Sequence, residues 1–131
     1  MTNLGKKKCS KCHKILNINK FSPCSGGKYL RPECRECGYR LTKERVKIRK
    51  EVGEPPDDYI CPVCFKQKDQ LKGVGGKKAK TCWAVDHNHS TKKFRGYLCH
   101  NCNRALGIFK DDIEMLWRAI EYLCPNTIKK H

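Results

Sequence analysis

Eight of the eleven cysteines fall into four C-x-x-C pairs: Cys9/Cys12, Cys34/Cys37, Cys61/Cys64 and Cys99/Cys102. No other feature constrains a 131-residue chain so tightly. A two-residue gap lets one tight turn offer two thiolates to one ion, and two such pairs close a tetrahedral zinc site. Disulfides are the competing use. The N-terminus, MTNLGKKKCSKCHK, has no apolar stretch of a secretory signal, and an odd cysteine count suits disulfides poorly. The expected setting is reducing and intracellular, the cytoplasm or nucleoid of a host cell, and not secreted; paired cysteines there point to metal. Grouping neighbours assigns one structural zinc to Cys9, Cys12, Cys34 and Cys37, and a second to Cys61, Cys64, Cys99 and Cys102. An interleaved grouping would instead cross-brace the two halves of the chain. Cys24, Cys82 and Cys124 are left over and read as small, partly buried thiols.

Metal nodes would supply what composition does not. Hydrophobic residues make up 38% and aromatics 8%, against 32% charged, which leaves too little for one large core. The formal net charge is +16. A polyanion is the natural partner, through phosphate neutralisation and counterion release, although solubility alone also favours a basic surface. No run is long and apolar enough to span a bilayer, so no membrane partner is expected.

Along the chain, residues 1–40 read as an N-terminal four-cysteine zinc module. Residues 41–56 read as a basic helix and linker: LTKERVKIRKEV carries Leu41, Ile48 and Val52 among basic residues, and Gly53 with Pro55-Pro56 stops it. Residues 57–131 form a second domain. Its glycine-rich GVGGKKAK lacks the Gly-Lys-Ser/Thr ending of a phosphate-binding loop and reads as a flexible basic turn. TCWAVDH and KFRGYL suggest two strands, and CHNCNRALGIF a helix beginning at the cysteine pair. DDIEMLWRAIEYL is the last helix. Its stripe of Ile113, Leu116, Trp117, Ile120 and Leu123 is expected to pack into the core, with Asp111 and Glu114 as a capping box and Pro125 as the stop. The tail NTIKKH is expected to fray. CSKCH matches a haem-attachment pattern and NHS a glycosylation sequon, but both need a secretory route. His13 and His100 could each replace a thiolate; four thiols are already available in each group, so both read as bystanders.

The segment VDHNHSTKKFRGYLCHNCN carries the chemistry. Successive strand side chains point to opposite faces, so Asp86 and His87 diverge while His87 and His89 share a side. A zinc tying residues 61–64 to residues 99–102 would bring Asn103, at the helix start, close to the strand bearing Asp86. A carboxylate and an amide oxygen are hard donors that suit Mg²⁺ or Mn²⁺. The bland alternative is that residues 86–89 only surround the zinc.

The order CPVC, VDHNH, KFRGYLCHNCN, AIEYL resembles the ββα-metal nucleases, also called His-Me finger or HNH nucleases, and among them the recombination endonuclease VII family. The resemblance covers about residues 57–123. It implies a small α+β, zinc-stabilised fold: a ββα-metal nuclease core preceded by the four-cysteine module and the basic helix. It implies His87 as general base, Asp86 and Asn103 as ligands of one catalytic Mg²⁺ or Mn²⁺, and His89 as a second histidine holding substrate or metal-site geometry. Lys92 and Arg95 would meet backbone phosphates, and so would Arg45 and Arg49 on the basic helix. The implied reaction is hydrolysis of DNA to 5′-phosphate and 3′-hydroxyl ends by a monomer or homodimer. A site-preferring nuclease of homing, mobile-element or restriction type is the first expectation. The alternatives are a structure-selective junction resolvase, a non-catalytic zinc protein that binds nucleic acid, and a protein-interaction module such as a RING, which would need interleaved zinc pairs. The chain departs from the family in having Leu106 where some members carry an acidic residue. Its short extension beyond the Trp117 helix puts branch resolution and an intertwined dimer in doubt.

Overall fold

A computed structural model describes residues 5–76 and 79–125. The chain divides into two compact units, residues 1–53 and 54–131. The tail NTIKKH and the Lys77–Lys78 part of the glycine-rich loop lie outside the described residues.

In the first unit, β1 (Lys6–Lys8) pairs with β2 (Ile15–Asn17), and β3 (Phe21–Cys24) pairs with β4 (Tyr29–Cys34), both antiparallel. Helix α1 runs from Arg35 to Val52. It therefore starts well before residue 41, where sequence alone placed it. The reason is the metal node: Cys34 is the extended cap residue, and the first turn of α1 is what turns Cys37 inward. The core is small and gathers around the thiols, with buried Phe21, Cys9, Cys34 and Cys37 and the half-buried Leu16 and Leu30. Gly53 ends α1 with a positive φ (+77°), its N–H bonded to the Arg49 carbonyl.

The second unit contains β5 (Trp83–His87), β6 (Phe94–Cys99), α2 (His100–Ile108) and α3 (Ile113–Leu123). The strands pair antiparallel, Trp83 opposite Cys99 and Asp86 opposite Gly96. The ladder then slips by one, so that His87 faces Phe94 and Arg95 is the bulged residue. Trp83, Val85, Tyr97 and Leu98 are buried. Tyr59 locks the preceding segment onto this hairpin: its ring meets Trp83 edge-on at 5.1 Å, and its hydroxyl donates to the Tyr97 carbonyl at 2.8 Å.

The two units repeat one plan. In each, a C-x-x-C turn is followed by a bulky residue in the left-handed region, His13 (φ +59°) or Phe65 (φ +56°). The first cysteine N–H bonds a lysine carbonyl five residues on, Lys14 or Lys66. In each, a bulged antiparallel hairpin ends on a cysteine that caps a helix, and the fourth cysteine lies in that helix's first turn. The sequence showed only the paired cysteines, because the segments between the nodes differ in length and composition.

Two expectations about the second unit change. The α3 stripe is not core: Ile113, Trp117, Ile120 and Leu123 are all exposed, and only Leu116 is partly covered. The second unit buries its apolar groups along the β5–β6 hairpin instead, and periodicity alone does not say what a helix face meets. The α3 cap is Asp112, whose side chain accepts from the Met115 N–H at 3.1 Å, which releases Asp111 for another contact.

The glycine-rich loop is also more than a flexible turn. Gly75 (φ +98°) lies where a Cβ would run into the His100 ring and Ala79, whereas Gly73 (φ +75°) has open space. The His100 ring is fixed in turn by a 2.8 Å contact from Nε2 to the Thr81 carbonyl. Gly75→Ala is expected to lower stability by about 2 kcal/mol or more, from overpacking added to backbone strain. Gly73→Ala, with strain alone, is expected to cost only about 1 kcal/mol. Urea unfolding of the metal-loaded proteins measures both, and equal losses would mean the loop does not pack as described.

Candidate metal and nuclease site

Two sets of four thiols converge, Cys9/Cys12/Cys34/Cys37 and Cys61/Cys64/Cys99/Cys102, and within each set the sulfurs lie within 4.8 Å of one another. The grouping is sequential, as expected, and each set lies inside one unit. Cys64 and Cys99 Sγ are 3.8 Å apart. The edge of a tetrahedron with metal–sulfur bonds of ~2.3 Å is about the same. The first cysteine of each set is prepared as an anion. Burial pushes the Cys9 thiol up, but backbone N–H groups of Cys12, Cys34 and Lys11 outweigh it and bring it down to about 6. For Cys61, burial is likewise outweighed by N–H groups of Cys64, Cys99 and Val63, and the thiol again falls to about 6. Cys37 is pushed up to about 12 by burial and by its sister thiols. Without an ion the four sulfurs cannot all be charged; a bound cation would displace the remaining protons. His13 and His100 belong to neither set.

β5 starts opposite the node cysteine Cys99, at Trp83, and delivers Asp86 and His87 at its other end. His87 is 3% exposed, while His89 is exposed, and their rings lie 5.0 Å apart. The turn that brings them together is built by Asn88. Its side-chain oxygen accepts from the N–H groups of Ser90 and Thr91, both at 2.9 Å, and its backbone closes onto Lys92 and Lys93. Lys92 sits in that turn, exposed, with φ +61°. Asn103 lies in the first half of α2, partly buried, immediately after the node cysteine Cys102; α2 packs against both β5 and β6. On α1, Arg45 is exposed and Arg49 partly so, within the other unit.

Arg95 is held rather than free. Its Nε and Nη2 donate to the two Asp86 oxygens at 2.8 and 2.9 Å, and Nη2 also donates to Asp111 at 3.0 Å. Those hydrogen bonds, Asp86's first, raise its guanidinium pKa further above the ordinary value despite partial burial. Sequence reasoning missed Asp111. The Asp111-Asp112 pair offers two candidate caps, and no local signal says which one turns toward a strand 16 residues away.

A bulged hairpin carrying Asp-His on its first strand, running into a helix pinned by four cysteines, is the ββα-metal arrangement. The overall similarity agrees: the ββα-Me type II restriction endonuclease Hpy99I superposes with a TM-score of 0.53 at 34% identity, over 91% of this chain and 65% of that one. The chain belongs to the recombination endonuclease VII family, which its residues 32–125 match. Two mycobacteriophage proteins are similar over 51 residues: the Gene 59 protein of phage D29 at 56% identity and that of phage L5 at 51%. The matched stretch is 38% of this chain but only 30% of those proteins.

Proposed function

We propose that this chain is a divalent-metal-dependent DNA endonuclease whose active centre is Asp86, His87, His89 and Asn103. The observation that carries the reading is the placement of Asp86 and His87 at the end of a hairpin strand whose partner leads directly into the helix bearing Asn103. Family membership and the net charge of +16 point the activity toward nucleic acid. The two thiol sets hold structural zinc, the ion that four thiolates in tetrahedral array suit best.

The donor set fits a catalytic ion. Asp86 and Asn103 offer hard oxygens suited to Mg²⁺ or Mn²⁺, and the Asp86 carboxylate already holds a cation, the Arg95 guanidinium. When bound, such an ion supplies charge neutralisation at the scissile phosphate and the departing oxygen. His87 accepts the proton of the attacking water at an imidazole nitrogen, as a neutral histidine can near pH 7. His89 packs on the His87 ring and limits its rotation. Lys92, on the exposed turn, meets a backbone phosphate. The products are 5′-phosphate and 3′-hydroxyl ends at preferred sites. The first unit has the hairpin-and-node plan without the chemistry: Gly38 follows its fourth cysteine where Asn103 follows Cys102. Its role is to grip DNA, with Arg45 and Arg49 on phosphates.

Incubation with supercoiled plasmid and with a four-way junction, with and without Mg²⁺, tests this. Discrete nicked or linear plasmid that depends on Mg²⁺ is expected. Cleavage of the junction alone would make the chain a structure-selective resolvase. Binding of both substrates without cleavage, by protein carrying two zinc ions, would make it a DNA-binding protein that keeps only the nuclease's shape.

A further inference from the structure

The Arg95 contacts carry a consequence for the same site. Both oxygens of the candidate ligand Asp86 are taken by one guanidinium, in a planar two-point pairing. Arg95 reaches them because the bulge removes it from the strand ladder. Its third contact goes to Asp111, in the turn between α2 and α3. That turn is a specialised one: Lys110 and Asp111 are both left-handed at φ +55°, and the Asp111 N–H is tied to the Leu106 carbonyl at 3.0 Å. The Arg95 side chain is 38% exposed, against 15% for Asp86 and 27% for Asp111, so it can swing while the two acids stay in place.

Building on the proposed nuclease site, we propose that Arg95 competes with a divalent ion for Asp86 and that Asp111 is the positioning residue that keeps Arg95 when the ion takes Asp86. A dication and a guanidinium on one small carboxylate repel each other, so ion binding and the Arg95–Asp86 pairing are antagonistic. Asp111 provides the landing place. With it, Arg95 gives up one acid and retains another; without it, Arg95 is released to solvent. Arg95 then stays beside the site with its remaining N–H donors turned toward the substrate phosphate. The pairing neutralises Asp86 and keeps Arg95 from phosphate until an ion displaces it, which couples DNA engagement to the ion.

Mn²⁺ binding to the zinc-loaded full chain, followed by electron paramagnetic resonance without DNA, tests the coupling independently of cleavage. Arg95→Gln is expected to bind Mn²⁺ about tenfold more tightly than wild type, the size of a typical site–site coupling. Asp111→Asn is expected to bind several-fold more weakly. In the Arg95→Gln background, Asp111→Asn should then have almost no effect, because Asp111 acts through Arg95. Arg95→Lys keeps the charge but loses the planar fork and should lie between wild type and Arg95→Gln. Zinc content and near-ultraviolet circular dichroism verify that each variant folds. Unchanged affinity in folded Arg95→Gln would overturn the proposal. An undiminished Asp111→Asn loss in that background would overturn it too, by making Asp111 a direct ligand. Mn²⁺ binding that survives Asp86→Asn would instead remove the metal-site reading itself, and this inference with it.

Discussion

His87→Ala is expected to lower the cleavage rate by about 10²- to 10⁴-fold, the usual contribution of a positioned general base. DNA affinity and zinc content should change little, since the proposed phosphate contacts and the thiol nodes involve other residues. Folding is less indifferent. His87 is 3% exposed and packs on His89, so removing its ring leaves a void that costs some stability. His87→Gln, which fills more of that space but is a very poor base, is the paired control. The measurement is single-turnover cleavage at saturating DNA. Equal, large losses in the two variants, with protein that still binds DNA, identify lost proton transfer. Wild-type rates in His87→Gln would remove His87 from the chemistry.

Removal of zinc is expected to unfold both units. Structural zinc contributes apparent binding free energies of about 10–16 kcal/mol in small domains. A folded domain retains only ~5–15 kcal/mol in total. Here the buried groups of the first unit are largely the thiols and Phe21, so little else could hold it. In the second unit, Cys61 and Cys99 tie the Cys61–Cys64 turn to the end of β6, with the Cys99 N–H on the Cys61 sulfur at 3.5 Å. Cys99→Ser should therefore disorder the hairpin that carries Asp86 and His87, and abolish cleavage with it. Trp83 reports the event, being buried in that hairpin. Its fluorescence should shift to that of exposed indole as a chelator extracts the metal. A chain shown to be metal-free that keeps a buried Trp83 and its near-ultraviolet signal would show that the apolar core suffices.

Stability should also depend on pH in a definite direction. The Cys9 and Cys61 thiols sit at about 6, below their ordinary value of 9.0. Acid groups lowered on folding contribute stability that is full above the unfolded value and is lost as pH falls through the folded one. Metal binding strengthens the same trend, because protons compete for every sulfur. The zinc-loaded protein should thus release its metal on acidification, whatever happens at the nuclease site.

Much of this molecule could be read from spacing. A C-x-x-C turn is a local object, so four of them predict two nodes once neighbouring pairs are grouped. TCWAVDH and KFRGYL predicted the two strands, and the family resemblance carried by D-H-x-H and the following asparagine implied which residues bear the chemistry. These features depend on neighbours a few residues apart, where covalent geometry and strand or helix period do the work. Other features needed the folded chain. The position of the bulge in β6 decides that Arg95, next to Asp86's ladder partner Gly96, turns its guanidinium to Asp86. Which of two adjacent aspartates caps α3 decides that Asp111 is left for Arg95. The exposed α3 stripe and the packed Gly75 were likewise invisible, since periodicity gives a face but not its surroundings, and a glycine-rich run gives conformational freedom but not the His100 ring beside it. Sequence by itself determined the four cysteine turns and the two strands, and left open which turns share a node. Tertiary structure decided which charges meet there, because long-range pairing rests on strand register and turn conformation, which local sequence fixes only weakly.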